Sequence, residues 1–326
     1  MSTNFGSVTL KSSIFVFALL ISYLYIFYIP WESVTGREFT DVSNYINRME
    51  YIYNRGGNEY SGVLSYITGE WLWAKILELI AVNSNDYRFG LLIISSIALF
   101  LYLLVAFREI PLLLVLCFLF NPLFVDLILS QVRIALAFSI LLSCIYIRNK
   151  YILYLMIAMS TLIHTASVLF ISIYFVIRFL IAKYGLQRRV YIYSIFFALI
   201  ISMFLKFGVS TILFIIGDRR ADFSSSAVGS SILYSSFWFI LALILAMKSE
   251  LNKKFIYVVA FSITMMCIFF FNSILGVYGQ RFVAVSLVPI FISLLTLPII
   301  SRFLTILLFL LYQLFQYKYW IDISII

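Results

Sequence analysis

Uncharged apolar runs recur along this chain, at residues 12–30, 89–107, 110–125, 134–147, 151–177, 190–205, 232–247, 255–280, 282–301 and 303–317. A bilayer crossing takes ~20 such residues, with ~17 near the lower limit. In hydrocarbon the backbone must satisfy its own polar groups, so runs of this length can cross only as helices. The pattern predicts an all-α polytopic membrane protein with roughly nine to eleven transmembrane segments, forming a single integral membrane domain over residues 1–326. Composition agrees: 64% of the residues are hydrophobic, 11% are charged, and the mean hydropathy is +1.07, values far from those of soluble domains. Lys11 ahead of an apolar run imitates a signal peptide, but no small-residue cleavage site follows, so a retained first helix is expected. Cys117, Cys144 and Cys267 all lie inside apolar runs and read as core residues, not as a disulfide or metal set.

Basic residues in short loops set orientation. With the N-terminus in the cytoplasm, 12 of the 23 basic residues fall on the cytoplasmic side with only Glu109 and Glu250 of the 14 acids, a balance of +10 there and −1 outside. The net charge of +9 thus reports topology and calls for no nucleic acid. One stretch breaks the count. Arg148 and Lys150 on one side, and residues 183–189 on the other, both belong inside, yet one uncharged stretch separates them. Two full crossings would need ~40 residues. A re-entrant or broken helix pair meeting near His164 is therefore expected, and such breaks are tolerated only where the backbone is buried or lines a wet cavity.

The outer segments, periplasmic if the resemblance given below holds, fall at about 31–88 and 206–231. Within the first, Leu64, Ile67, Trp71, Leu72, Ile76 and Leu79 give a helical apolar face. Glu70, Lys75 and Glu78 argue against a crossing there, leaving a helix on the membrane surface or capping the domain. The second contains Arg219 and Arg220 followed by a serine run. Loops with this chemistry can bind sugar hydroxyls.

Arg133 and Arg281 stand at outer ends of apolar runs, each with a glutamine close by, Gln131 and Gln280. An arginine at membrane depth is costly, and its default reading is a site. Its guanidinium offers paired hydrogen bonds to phosphate oxygens, so the four residues are candidate diphosphate ligands. His164, the only histidine, is a candidate base; two flanking cations would hold it neutral. Asp41 is a second catalytic candidate, ahead of Glu32, Glu38 and Asp126. Tyr45 and Tyr278 are possible substrate contacts, as are Arg219 and Arg220. No residue set has metal-ligand spacing, and no cofactor motif is present, so no metal or cofactor is expected.

At these residues the chain resembles the Wzy-type O-antigen and capsule repeat-unit polymerases, in their EpsG-like branch. The similar elements are Thr40-Asp41-Val42-Ser43-Asn44-Tyr45, Gln131-Val132-Arg133-Ile134-Ala135-Leu136-Ala137, Leu162-Ile163-His164-Thr165-Ala166-Ser167 and Gln280-Arg281-Phe282. The resemblance implies a multi-helix, metal-independent glycosyltransferase of the GT-C type in the bacterial inner membrane, working at the periplasmic face in lipopolysaccharide or related polysaccharide biosynthesis. It implies undecaprenyl-diphosphate-linked oligosaccharide as substrate, with transfer of the growing glycan onto the non-reducing end of a lipid-linked repeat unit. Membrane lipid, a chain-length regulator and a flippase are the implied partners. The rival expectations are a membrane O-acyltransferase modifying a surface glycan and a lipid-glycan flippase or other transporter.

Overall fold

The computed structural model describes residues 5–36, 39–55, 63–208, 211 and 230–324. Among them every regular element is helical and no strand occurs. The chain folds as two compact units, Met1–Leu169 with Gln316–Ile326, and Phe170–Phe315.

The first unit contains α1 (Phe5–Phe27), α2 (Trp31–Thr35), α3 (Thr40–Arg55), α4 (Val63–Thr68), α5 (Trp71–Asn83), α6 (Tyr87–Glu109), α7 (Leu112–Leu119), α8 (Pro122–Leu129), α9 (Val132–Ser143) and α10 (Lys150–Ile163). The middle of this unit is α9. Its buried positions include Val132, Ile134, Ala135, Leu136, Ala137, Phe138, Ser139 and Ile140, so it is apolar on every side, as a helix enclosed by protein must be. Helices α6, α8 and α10 pack around it, and α5 packs on α3, α6 and α10. Gly90 permits the α5–α6 approach, because a Cβ there would lie 2.5 Å from Cγ2 of Ile80.

The run at 110–125 is not a straight span. Helices α7 and α8 bend by 70° at Phe120–Asn121, and Pro122 at the first position of α8 accounts for the restart. The freed carbonyls are satisfied from elsewhere in the unit. Tyr25 Oη donates to the Leu119 carbonyl at 2.7 Å and Tyr317 Oη donates to that of Phe120. Asn121, fully buried, caps α8 by accepting from the Leu123 N–H at 3.0 Å, and its Nδ2 donates to Gln316 Oε1 at 3.0 Å.

The second unit holds most of α11 (Ala166–Tyr184), α12 (Arg189–Met203), α13 (Ile232–Lys248), α14 (Ile256–Ile274), α15 (Gln280–Val285), α16 (Leu287–Leu294) and the greater part of α17 (Ile299–Ser324). α14 is its core, packed by α12, α13, α15 and α16. Phe237 stacks on Tyr312 with centroids 3.8 Å apart, joining α13 to α17.

Among the described residues five helices are long and apolar enough to cross a membrane: Tyr87–Glu109, Ala166–Tyr184, Arg189–Gly208, Ile256–Ile274 and Ile299–Lys318. The bent α7–α8 pair makes a sixth if counted as one span. Nine to eleven segments were expected from the runs alone. Three further apolar helices, Val132–Tyr146, Lys150–Ile163 and Ile232–Lys248, are shorter; at ~1.5 Å per residue they fall short of a ~30 Å hydrocarbon layer unless extended or set in a thinned region. Ser12–Phe27 is the apolar part of the 23-residue α1. The run at 282–301 is divided between α15 and α16. On α17 the side chains of Phe303, Leu304, Leu307, Leu311 and Leu314 are exposed, an apolar surface suited to lipid.

Candidate functional site

The expected break near His164 is present, with its anatomy changed. α10 ends at Ile163 and α11 begins at Ala166. With 14 residues α10 is a short helix, whereas α11 is long enough to cross alone. The pair is one short and one full-length helix, not two halves. At the break His164 is extended, with its N–H bonded to the Ser160 carbonyl at 2.9 Å. Ser160 Oγ donates to the Ala137 carbonyl at 2.8 Å and lies 2.8 Å from Ser167 Oγ. These buried hydroxyls tie the end of α10 to α9 and to the restart of the chain.

Opposite the break stands Glu70, whose charge in the sequence argues only against a membrane crossing there. Glu70 occupies the turn between α4 and α5 and is 3% exposed. Its φ of 53° and ψ of 55° are left-handed, and no other non-glycine residue among those described has positive φ. That conformation costs roughly 1–2 kcal/mol for an L residue. Both sides of the turn hold it there: Glu70 N–H donates to the Ile67 carbonyl at 3.1 Å, and its own carbonyl accepts from Ala74 N–H at 3.0 Å to start α5.

The strained turn aims the carboxylate inward. Glu70 Oε1 lies 2.7 Å from His164 Nδ1 and accepts from the Thr165 N–H and hydroxyl, each at 3.3 Å. Glu70 Oε2 pairs with Arg133 at the start of α9. A single buried carboxylate thus joins two of the predicted site residues. Burial opposes its ionisation, but the His164 hydrogen bond, the Arg133 charge, the charge of His164 when protonated and the Thr165 N–H outweigh that and bring its pKa down to about 2. Ionised, Glu70 can only accept, so the proton of the His164 bond sits on Nδ1. In the neutral ring the basic lone pair is then on Nε2. A carboxylate holding one imidazole nitrogen so that the other can take a proton is the arrangement of a general base.

One expectation needs correction, and a second gains a protein partner. His164 is not flanked by cations alone, because the charge in contact with its ring is a carboxylate. The Arg133 charge is not reserved for an anion; Glu70 meets it within the protein. About a quarter of the Arg133 side chain is exposed, and a guanidinium has five N–H donors, so one ion pair leaves donors for a phosphate.

The remaining candidates fall in different places. Gln131 donates through Nε2 to Asp126 Oδ2 at 2.6 Å. Asp41 lies in the first turn of α3 and is half-buried. Tyr45, further along α3, is buried edge-on against Trp73 of α5, with centroids 5.2 Å apart. Glu32 forms a paired salt bridge with Arg88 at 3.0 and 3.2 Å on an exposed surface, which accounts for it structurally. Glu38, Arg219 and Arg220 lie outside the described residues. In the second unit, Arg281 lies over the ring of Tyr278 at 5.4 Å, and Tyr278 Oη is 3.1 Å from Gln280 Oε1. Gly279 lets this turn sit against α14, since a Cβ there would be 3.0 Å from Asn272 Cβ and 3.1 Å from Phe269 Cα.

Glu70 had a legible signal. Lys75 and Glu78 pair with each other on the surface at 2.6 Å. Glu70 has Trp73 and Ala74 at the helical pairing positions, so no local base accompanies it. The buried face of α5 is also rotated from the expected one, running through Trp73, Ala74, Leu77 and Ala81 with Leu79 65% exposed.

Comparison of the chain with protein-family models, curated proteins and solved structures finds no match in any of the three.

Proposed function

We propose that this protein is a polymerase of lipid-linked saccharide repeat units, for O-antigen or a related surface polysaccharide, in the bacterial inner membrane with its site toward the periplasm. The observation that carries this reading is the buried Glu70 carboxylate bound to both His164 and Arg133 in an all-helical chain with candidate membrane spans. The resemblance at the Gln131–Ala137 and Leu162–Ser167 segments points the same way.

Glycosyl transfer from a lipid diphosphate needs two services. The acceptor hydroxyl must lose its proton as its oxygen bonds to the anomeric carbon, and the carbon–oxygen bond to the diphosphate must break with the electron pair leaving on the phosphate oxygen. His164 Nε2 is suited to take the proton, and Glu70 stabilises the imidazolium that results. Such a base contributes ~10²–10⁴-fold. The Arg133 donors not engaged by Glu70 suit the departing diphosphate, where a fixed cation acts on charge as it develops.

The test is reconstitution in liposomes with purified lipid-linked repeat units, following polymer length on gels. Wild-type protein should build a ladder. Failure to form polymer, together with transfer of an acyl group or movement of lipid across the bilayer, would replace the reading with one of its rivals.

A further inference from the structure

Resting on the lipid-linked glycan reading, we propose that Gln131 reads a hydrogen-bond donor on the substrate's sugar, a hydroxyl or acylamino N–H, and does not hold the diphosphate. The α8–α9 turn sets its orientation. The Asp126 carbonyl accepts from the N–H groups of Ser130 at 2.9 Å and Gln131 at 3.1 Å. The Asp126 carboxylate accepts from Gln131 Nε2 at 2.6 Å. A carboxylate is acceptor-only, so the amide nitrogen must face Asp126, and Oε1 is the atom left for another partner. Gln131 is 6% exposed, and no donor among the described residues reaches its buried Oε1. Native interiors rarely leave such an acceptor unmatched.

Two residues on, Arg133 carries the donors already assigned to the leaving group. The cap and first turn of α9 therefore carry an acceptor and a set of donors two residues apart in the chain. An ionised diphosphate offers only acceptor oxygens, which suit Arg133 and are repelled by Oε1. A sugar hydroxyl or acylamino N–H is the complement to Oε1. Gln131 is thus a specificity-determining residue for the saccharide.

Binding by the purified full-length protein in nanodiscs tests this with two probes: a short polyprenyl diphosphate, and the same lipid carrying an N-acetylhexosamine. Gln131→Met should weaken the glycosylated probe roughly three- to tenfold, the worth of one neutral hydrogen bond, and leave the bare diphosphate lipid within about twofold. Asp126→Asn frees the amide to turn over without changing side-chain size. It should reduce the same preference, and it decides the matter if the Met variant does not fold. Equal loss on both probes, or no loss on either, overturns the assignment of Gln131 while leaving the lipid-diphosphate reading in place. Wild-type protein that binds neither probe overturns that reading and the Gln131 assignment together.

Discussion

Glu70 is the residue on which the site turns, and its variants separate charge from shape. Glu70→Ala strands Arg133 and His164 beside a void, and removing one partner of a buried pair costs ~3–5 kcal/mol; the melting temperature in detergent should fall sharply. Glu70→Gln keeps the volume but not the charge, so the protein should fold while turnover drops by ~10²–10⁴. The pH dependence has a definite sign. The folded carboxylate titrates at about 2 against an ordinary 4.5, so its stabilising contribution is full above about 4.5 and drains away as pH falls toward 2. The melting-temperature gap between wild type and Glu70→Gln should therefore narrow over that interval; a constant gap would show that charge is not what the cluster uses. For Arg133, Ala should abolish polymer with the protein still in the membrane. Lys should restore only part, because an ammonium lacks the planar fork.

Among the elements, the α7–α8 elbow and the α10–α11 break carry the residues of the first unit into place. Asn121→Ala removes both the cap of α8 and the bond to Gln316, and should cost ~1–2 kcal/mol, read as a lower melting temperature. An unchanged temperature would mean that Tyr25 and Tyr317 hold the elbow unaided. The break at His164 was legible because an uncharged stretch of known length lay between two basic clusters. The elbow carries a turn signal in Asn121-Pro122, but hydropathy averaged over the apolar run around it conceals the break. Nor was the orientation of α5, whose apolar residues lie on every side of the helix, so that periodicity selects no unique face. Glu70 was passed over for a related reason: hydropathy gives a buried, paired carboxylate the same weight as a solvated one, and only its lack of a local basic partner set it apart. The short cluster of Tyr278, Gln280 and Arg281 was legible because its members are adjacent in the chain.

At the scale of the molecule, the charge partition makes its own prediction about sidedness. A cysteine placed at Asn85, exposed between α5 and α6, should react with an impermeant thiol reagent from the periplasmic side, and one at Asn252 should not; the reverse labelling would overturn the orientation. The central claim is that the Glu70–His164 pair supplies the base for glycosyl transfer. Polymer formed per molecule of purified protein in liposomes, compared among wild type, His164→Ala and Glu70→Gln, tests it most directly. The account predicts that both variants fold, still bind the lipid-linked repeat unit, and lose turnover by at least ~10²-fold. Near-normal turnover by folded His164→Ala would contradict it and assign the buried cluster to packing.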